Sequence, residues 1–245
     1  MSLPIVTATR YVLPLREGGS LPGVVEGNDL GTYVIKFTGA GQGPKALVAE
    51  VVVGELFRRL GLRVPELKLI HLDPAIGKSE PDFEIQELLI RSAGLNLAVD
   101  FLPGSFGYDG SAGNPGDAEM AKILWLDAFV ANVDRSWRNT NLLVWHKDLW
   151  LIDHGAALYF HHSWMSAEKF ATLRYDADDH VFSVAAPGVP AIADGLAAAI
   201  TPELLTEVID LVPDEWLGEG DRERYLGHLL ARLEQRAAWQ PGGAA

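Results

Sequence analysis

The sequence contains no cysteine among its 245 residues, which excludes disulfide bonds, zinc–thiolate sites and thiol catalysis. Basic residues are also scarce, because 20 Lys and Arg stand against 33 Asp and Glu and give a formal net charge of -13. Such an acidic surface repels nucleic acid and anionic membranes. A ligand that carries phosphate must therefore be bound by local hydrogen-bond donors or by a metal ion. We therefore expect neither nucleic acid nor a membrane as a partner.

Long hydrophobic runs are absent as well. No apolar run approaches the ~18 residues that a membrane span needs, and the opening MSLPIVTATRYVLPLREGG lacks the basic start and apolar core of a signal peptide. We expect a cytoplasmic protein. Apolar residues still make up 48% of the chain, which is enough for a globular fold with a hydrophobic core.

The first part of the chain, residues 1–103, has the pattern of a small β-rich lobe. Its segments TYVIKF, PELKLIHL and LNLAVDFL are strand-like, because β-branched and aromatic residues alternate between turn signals. One main helix, KALVAEVVVGELFRRLG, interrupts them and ends at Gly61. A Pro-Gly pair that begins at Pro103 then marks a hinge.

Helical patterns predominate in residues 104–245. One helix is predicted to be capped by Asp117 and to run to Val133, and two more begin at Thr201 and Asp221. The two parts together predict an α+β fold with two lobes, and a ligand cleft between the lobes is the usual consequence of that arrangement.

Lys36 and Glu50 are the first candidate pair. Lys36 lies on the less apolar side of its strand, because Tyr33, Ile35 and Phe37 share the other face. By itself this is also the pattern of an ordinary solvated lysine. Glu50 lies at the edge of the apolar arc of the next helix, with no basic residue at helical spacing, and a carboxylate turned towards packed surface requires a cation from elsewhere. We therefore predict a Lys36–Glu50 ion pair, as in kinases that hold a lysine against nucleotide phosphates.

Aspartate and asparagine are concentrated in NVDRSWRNTNLLVWHKDLWLIDHG, residues 132–155. A helix ends just before Asp134, and LLVW, HKD and LWLI predict a tight β-hairpin that returns the chain beside its start. Asn139 and Asn141 follow Asp134 by 5 and 7 positions, and Asp153 follows it by 19. The hairpin is therefore expected to bring these four side chains together.

This combination of residue types suits phosphoryl transfer. One aspartate orients the attacking hydroxyl and accepts its proton, while an asparagine oxygen and a second aspartate hold Mg²⁺ on the phosphates. Turns and caps are also rich in Asn and Asp. That alternative explains poorly why an aspartate lies at each end of a hairpin in a chain that also offers a Lys/Glu pair.

The same segments resemble those of the HipA-like kinases, which share a protein-kinase-like fold with the phosphatidylinositol kinases. NVDR, NLLVW and LWLIDHG are similar to the catalytic and metal-binding segments, DFLPG is similar to a kinase hinge, and EGGSLPG is similar to a phosphate loop. The resemblance implies ATP and Mg²⁺ as cofactors and a Ser or Thr hydroxyl of a protein substrate as acceptor. The resemblance implies that Asp134 is the catalytic base and that the metal is bound by Asp153 with Asn139 or Asn141. It implies that the phosphates are bound by Lys36, which Glu50 holds, and by the loop residues Gly19 and Ser20. The adenine ring would be contacted by Asp100, Phe101 and Leu102.

Some alternatives stay open at this point. The spacing typical of the family, five residues after the catalytic aspartate, selects Asn139 as the metal ligand. The family's pattern of an asparagine directly before an apolar strand selects Asn141 instead. A lipid or small-molecule kinase is the alternative enzyme, and a nucleotide-binding pseudokinase that acts as an interaction module is the alternative without catalysis.

A third class of function would use the histidines. His154, His161 and His162 with Asp153 would suit a metal hydrolase, although their spacing fits no standard zinc pattern. Asp127 is unusual inside an apolar helix, and we interpret it as a buried acceptor that braces the backbone of the catalytic loop.

Overall fold

A computed structural model describes residues 2–15, 21–41 and 43–242. Gly19 and Ser20, which were predicted to contact phosphate, lie outside the described residues. The chain folds into two compact units. The first unit comprises residues 1–48 and 65–103, and the second comprises residues 49–64 and 104–245.

The first unit is built around a closed barrel of five strands in the order β1-β2-β3-β5-β4. Strands β1 and β4 pair in parallel, and the other neighbours are antiparallel. The strands are β1 Ile5–Pro14, β2 Gly23–Gly27, β3 Thr32–Lys36, β4 Leu67–Leu72 and β5 Gly94–Asp100. The barrel is filled by one cluster of buried residues, which includes Val25, Tyr33, Ile35, Ile70, Leu72 and Ala98.

A helix that the sequence analysis did not predict, α2 (Phe83–Arg91), packs on this cluster. Asp82 caps it by accepting a hydrogen bond from the Glu84 amide at 3.1 Å, and Ile85, Leu88 and Leu89 are buried. A helix of nine residues is too short to be stable alone and depends on its tertiary contacts. For that reason its local pattern is weak.

Helix α1 (Pro44–Arg59) begins and ends close to its predicted limits. Gly61 follows it with a φ of 82°, a left-handed conformation that glycine adopts without strain. From Ala49 onwards the helix belongs to the second unit. There the ammonium of Lys122 donates a hydrogen bond to the carbonyl of Leu60, at the negative end of the helix dipole.

Within the described residues, the second unit contains four further α-helices and a small three-stranded sheet in the order β6-β7-β8. The strands are β6 Phe106–Gly107, β7 Leu142–Trp145 and β8 Asp148–Leu151. The α-helices are α3 Asp117–Val130, α4 Val189–Ala199, α5 Pro202–Ile209 and α6 Asp221–Glu234. Between β8 and α4 the chain forms 3₁₀ helices at Tyr159–His162, Trp164–Thr172 and Ser183–Gly188.

Two predicted helix ends needed correction. The N-cap of α3 is Gly116, which provides no side-chain hydrogen bond, so Asp117 is the first helical residue and not the cap. The same helix ends at Val130 and not at Val133, because Ala131 adopts a left-handed conformation with a φ of 52°. The predicted cap of α5 is confirmed, since Thr201 accepts a hydrogen bond from the Leu204 amide at 3.2 Å.

The predicted hairpin is confirmed as the β7–β8 pair, with Leu142 opposite Leu151. Its turn consists of two residues, His146 and Lys147, whose φ angles of 50° and 73° are both positive. That turn type matches the twist of a tight hairpin. The hairpin therefore returns the chain from Asn141 to the residues just before Asp153.

Within the described residues, no helix taken alone is both long and apolar enough to cross a membrane. The segments 183–199 and 202–209 meet that criterion only when they are combined, and they are bent by 72° with respect to each other.

Candidate active site

Asp134 and the two candidate asparagines form one hydrogen-bonded group. The side-chain amide of Asn139 donates to Oδ2 of Asp134 at 3.0 Å. The amide of Asn141 donates to the main-chain carbonyl of Asp134 at 2.7 Å and to its Oδ2 at 3.2 Å. Three of the predicted site residues are thus in direct contact, on the loop that follows α3.

The two asparagines differ in how firmly they are held. Asn139 is exposed, whereas Asn141 is buried directly before β7 and has a left-handed φ of 48°. Only an NH₂ group can donate to a carbonyl, so the contact with Asp134 fixes the amide of Asn141 and turns its Oδ1 to the opposite side. The amide of Asn141 is thus held by two acceptors in a buried position, whereas that of Asn139 is held by one acceptor in an exposed position.

Arg135 is the residue that the sequence analysis missed. Its side chain is buried, Nε donates to Oδ2 of Asp127 at 2.6 Å, and Nη1 donates to the carbonyl of Asn141 at 2.6 Å. Nη2 lies 3.4 Å from Nδ1 of His154. One guanidinium thus contacts both Asn141 and His154, the residue after Asp153. Because Arg135 directly follows Asp134, it links the chain segments of Asp134, Asn141 and Asp153.

Asp127 provides the negative charge that pairs with this guanidinium. It was predicted to be a buried hydrogen-bond acceptor. It also accepts hydrogen bonds from Nδ2 of Asn132 at 2.8 Å and from Nε2 of His180 at 3.0 Å. Asn132 in turn accepts a hydrogen bond from the Asp134 amide at 3.2 Å. Asp127 thus braces the loop on both sides of Asp134, which confirms the interpretation.

The ionisation of Asp127 follows from these contacts. Complete burial tends to raise the pKa of the Asp127 carboxyl, but the charge of Arg135 and the hydrogen bond from His180 outweigh burial and lower the pKa below its ordinary value. The tautomer of His180 is defined as well, because its Nδ1 accepts from the Phe182 amide at 3.0 Å and so Nε2 carries the proton. Asp127 is therefore an anion that three neutral or cationic donors surround.

The segment with Asp153 begins where β8 ends. The Ile152 amide donates to the carbonyl of Asn141 at 3.1 Å, so the two ends of the hairpin meet as predicted. Asp153 is half-buried and has a φ of 57°, which is uncommon for a residue other than glycine, asparagine or aspartate. The left-handed conformation is typical of a sharp change of direction at this position.

Helix α1 also contacts this segment. Oε1 of Glu50, a buried residue, accepts a hydrogen bond from the Gly155 amide at 2.9 Å. The ring of Phe57 packs edge-on against His154, with ring centroids 5.3 Å apart. The helix residue predicted to hold a lysine therefore also binds the backbone two residues after Asp153.

The remaining predicted residues lie in the first unit. Lys36 is half-buried at the end of β3, while Tyr33 and Ile35 are buried, so the predicted alternation of faces is confirmed. Because Lys36 and Glu50 belong to different units, their ion pair stays a prediction.

The predicted hinge follows β5. The amides of Asp100 and Phe101 donate to the carbonyls of Glu66 at 2.9 Å and Thr32 at 3.1 Å, and Leu102 is buried. Burial, followed by the charge of Glu66, raises the pKa of the Asp100 carboxyl. The contact of this segment with adenine stays a prediction.

The histidines do not form a metal centre. Within the described residues, no group of three or more His, Asp or Glu side chains is arranged to hold a metal ion. Nδ1 of His161 lies 2.8 Å from the Tyr225 hydroxyl, and its Nε2 lies 3.2 Å from Nε2 of His162. These contacts belong to an aromatic cluster with Phe160 and Trp164, which gives His161 and His162 a packing role.

Comparisons with known proteins identify a related family and related folds. A sequence profile described as HipA-like kinase matches residues 10–239. The crystal structure of the Helicobacter pylori proinflammatory kinase CtkA is similar with a TM-score of 0.58 and 14% identity, over 87% of this chain and 90% of that protein. The Golgi casein kinase with Mn and ADP bound has a TM-score of 0.51 and 12% identity, over 96% of this chain and 72% of that protein. The predicted α+β, kinase-like fold is thereby confirmed, while a comparison with curated protein sequences finds no match.

Proposed function

This chain belongs to the HipA-like kinase family, and from that premise we propose that it transfers the γ-phosphoryl group of ATP to a Ser or Thr hydroxyl of a protein. The observation that carries the proposal is the position of the Arg135 guanidinium, which contacts Asp127, the Asn141 carbonyl and Nδ1 of His154. Phosphoryl transfer depends almost entirely on positioning and electrostatics, and this contact set orders the loop that a kinase requires.

We assign to Asp134 the role of orienting the acceptor hydroxyl and accepting its proton. Asn139 and Asn141 both donate to Oδ2 of Asp134, so the carboxylate is held in one orientation and its Oδ1 is the oxygen that we assign to the hydroxyl. The backbone on its N-terminal side is fixed by Asn132. A base that is oriented before the substrate arrives loses little entropy in the reaction.

Asn141 and Asp153 are the residues that we assign to Mg²⁺, with Asn139 as the alternative amide. The donor set fits the ion, because carboxylate and amide oxygens are hard ligands and the fixed amide of Asn141 presents an oxygen away from Asp134. A divalent ion held by these residues would supply positive charge against the charge that develops on the phosphates. The Golgi casein kinase, which shares the fold, was crystallised with Mn and ADP, and this supports a nucleotide and a divalent ion here.

The first unit supplies the proposed nucleotide contacts. Lys36, held by Glu50, would bind the phosphates, together with the loop residues Gly19 and Ser20. The amides of Asp100 and Phe101 already donate to backbone carbonyls. We therefore assign the adenine contact to their carbonyls and to the backbone of Leu102, within the Asp100–Leu102 hinge.

The acidic composition supports the rest of the proposal. With a net charge of -13, the chain is suited neither to nucleic acid nor to an anionic membrane surface. We propose a cytoplasmic enzyme with a protein substrate.

Intact-mass spectrometry tests this function. The protein is incubated with MgATP alone, with histone H1, with dephosphorylated casein and with phosphatidylinositol vesicles, and Asp134→Asn, Asp153→Asn and the hairpin-turn control Asp148→Asn are treated in parallel. We expect phosphate on a protein Ser or Thr with wild type and the control, and none with the two site variants. Phosphate only on lipid would contradict the acceptor class, and nucleotide binding without any transfer would identify a pseudokinase.

A further inference from the structure

An exposed tryptophan lies at the tip of a tight turn next to Asp134. The turn is closed by two backbone hydrogen bonds, from the Ser136 amide to the Asn139 carbonyl at 3.0 Å and from the Asn139 amide to the Ser136 carbonyl at 3.1 Å. Trp137 and Arg138 form its tip, and Trp137 is 58% exposed. Because Asn139 also binds the Asp134 carboxylate, the turn has a fixed position relative to the proposed base.

The indole of Trp137 is supported by a neighbouring aromatic ring. The ring of Tyr108 stacks below it, with centroids 6.0 Å apart and an interplanar angle of 21°. A large aromatic surface that is held in place and still mostly exposed is typical of a recognition surface.

A second chain segment, which carries an exposed aspartate, pairs with the start of this turn. Ser136 and His180 form an isolated antiparallel β-bridge, and the Val181 amide donates to the Arg135 carbonyl at 3.0 Å. In antiparallel pairing, the residue after Ser136 lies opposite the residue before His180. The backbone of Trp137 is therefore next to that of Asp179, which is exposed and for which no ion pair is found among the described residues.

The exposed charges around this turn are mixed, with a small acidic excess. The exposed basic residues of the two paired segments are Arg138 and Arg174, and the exposed acidic ones are Asp176, Asp178 and Asp179. The whole chain adds a net charge of -13, which attracts a cationic partner over long distances.

We infer that Trp137 and Asp179 form a subsite for an arginine side chain of the acceptor protein, close in sequence to the phosphorylated Ser or Thr. A guanidinium is flat and weakly hydrated, so it stacks on an indole face while it pairs with a carboxylate at the edge. Lysine would satisfy the charge but not the stacking. This inference rests on the proposed function, because it names a feature of the same enzyme's substrate.

Peptide binding tests the subsite without requiring phosphoryl transfer. Fluorescence anisotropy is measured with a short labelled peptide that carries one Ser flanked by arginines, and with the same peptide in which lysine or glutamine replaces each arginine. The protein variants are Trp137→Ala, Asp179→Asn and their combination. Matched controls are Phe83→Ala, which removes another exposed aromatic ring, and Glu215→Gln, which removes another exposed charge.

We expect the wild type to prefer arginine over lysine and glutamine. Each single variant should bind the arginine peptide about two- to fivefold more weakly, the size of an exposed cation–π contact or surface ion pair. The combined variant should bind it about 4- to 25-fold more weakly, the product of the two losses. The controls should bind as the wild type does.

The inference is overturned if the wild type does not distinguish the three peptides, or if Trp137→Ala and Asp179→Asn bind the arginine peptide as tightly as the controls. Binding with the expected losses, in a protein that transfers no phosphate, would support the subsite and reject the kinase proposal. Phosphate transfer that neither Trp137→Ala nor Asp179→Asn changes would support the kinase proposal and reject the subsite. The failure of one proposal can therefore be distinguished from the failure of the other.

Discussion

Nη2 of Arg135 lies 3.4 Å from Nδ1 of His154, and this contact joins the residue after Asp134 to the residue after Asp153. The guanidinium has hydrogens and no lone pair, so Nδ1 of His154 acts as the acceptor. The proposed base and the proposed metal ligand therefore occupy two chain segments that one buried side chain holds together.

Arg135→Lys tests this connection. A lysine keeps the charge but cannot reach Asp127, the Asn141 carbonyl and His154 at once, because it lacks the planar fork. We expect kcat for phosphate transfer to fall about 10²-fold, the size that a displaced catalytic group produces, with a smaller change in the KM for ATP. Steady-state kinetics measure both, and a variant with wild-type kcat would contradict the role of Arg135.

Asp127→Asn tests the centre of the network. The substitution leaves the buried cation of Arg135 without its charged partner, and removal of one member of a buried pair costs about 3–5 kcal/mol. Urea unfolding measures the loss of stability, and Glu215→Gln is the exposed control, expected within about 0.5 kcal/mol of wild type. A similar free energy of unfolding for both variants would show that Arg135 is paired elsewhere.

The acid stability of the protein should depend on the same carboxyl. The pKa of Asp127 is lower in the folded protein than its ordinary value, so the native state binds fewer protons than the unfolded chain at acid pH. Its contribution is complete above the unfolded pKa of about 3.9 and is lost as the pH falls towards the folded pKa. Denaturant unfolding between about pH 6 and pH 3 should show a shallower acid decline for Asp127→Asn than for wild type, and equal slopes would contradict the shift.

The β-hairpin and the helix before it could be predicted because their signals are local. Two apolar tetrads around HKD specify the hairpin, and its return was enough to place Asp153 near Asn141. Arg135 could not be predicted in the same way, since its partners lie 8 residues earlier, 6 residues later and 19 residues later. The one available signal was Asp127, a carboxylate inside an apolar helix, which required a buried cation that the sequence analysis did not identify.

Helix α2 shows the same limit in the fold. Its three buried residues, Ile85, Leu88 and Leu89, pack on the barrel cluster, so the helix depends on strands that are distant in sequence. The cap of α3 was mispredicted for a related reason, because an aspartate is as favourable in the first turn as at the cap.

The two asparagines should differ in their effects. Asn141→Ala removes the hydrogen bond to the Asp134 carbonyl and places alanine at a φ of 48°, which costs about 1 kcal/mol in backbone strain alone. Asn139→Ala removes only an exposed contact. We expect Asn141→Ala to lower kcat at least about tenfold more than Asn139→Ala, with a higher Mg²⁺ requirement, and the reverse order would select Asn139 as the metal ligand.

Two substitutions at Glu50 separate its roles. Glu50→Gln keeps an oxygen that accepts from the Gly155 amide but removes the charge proposed to hold Lys36. We expect it to weaken ATP binding about tenfold, the size of a charged hydrogen bond, with little change in Tm. Glu50→Ala should lower both the ATP affinity and Tm, which calorimetric titration and thermal unfolding measure. Unchanged ATP affinity in Glu50→Gln would reject the Lys36–Glu50 pair.

Anomalous diffraction from crystals grown with Mn²⁺ and a non-hydrolysable ATP analogue tests the central arrangement most directly. The account predicts a manganese peak about 2.0–2.3 Å from a carboxylate oxygen of Asp153 and from Oδ1 of Asn141, with the γ-phosphate facing Asp134. A peak ligated by neither Asp153 nor either asparagine, or a γ-phosphate remote from Asp134, would contradict it.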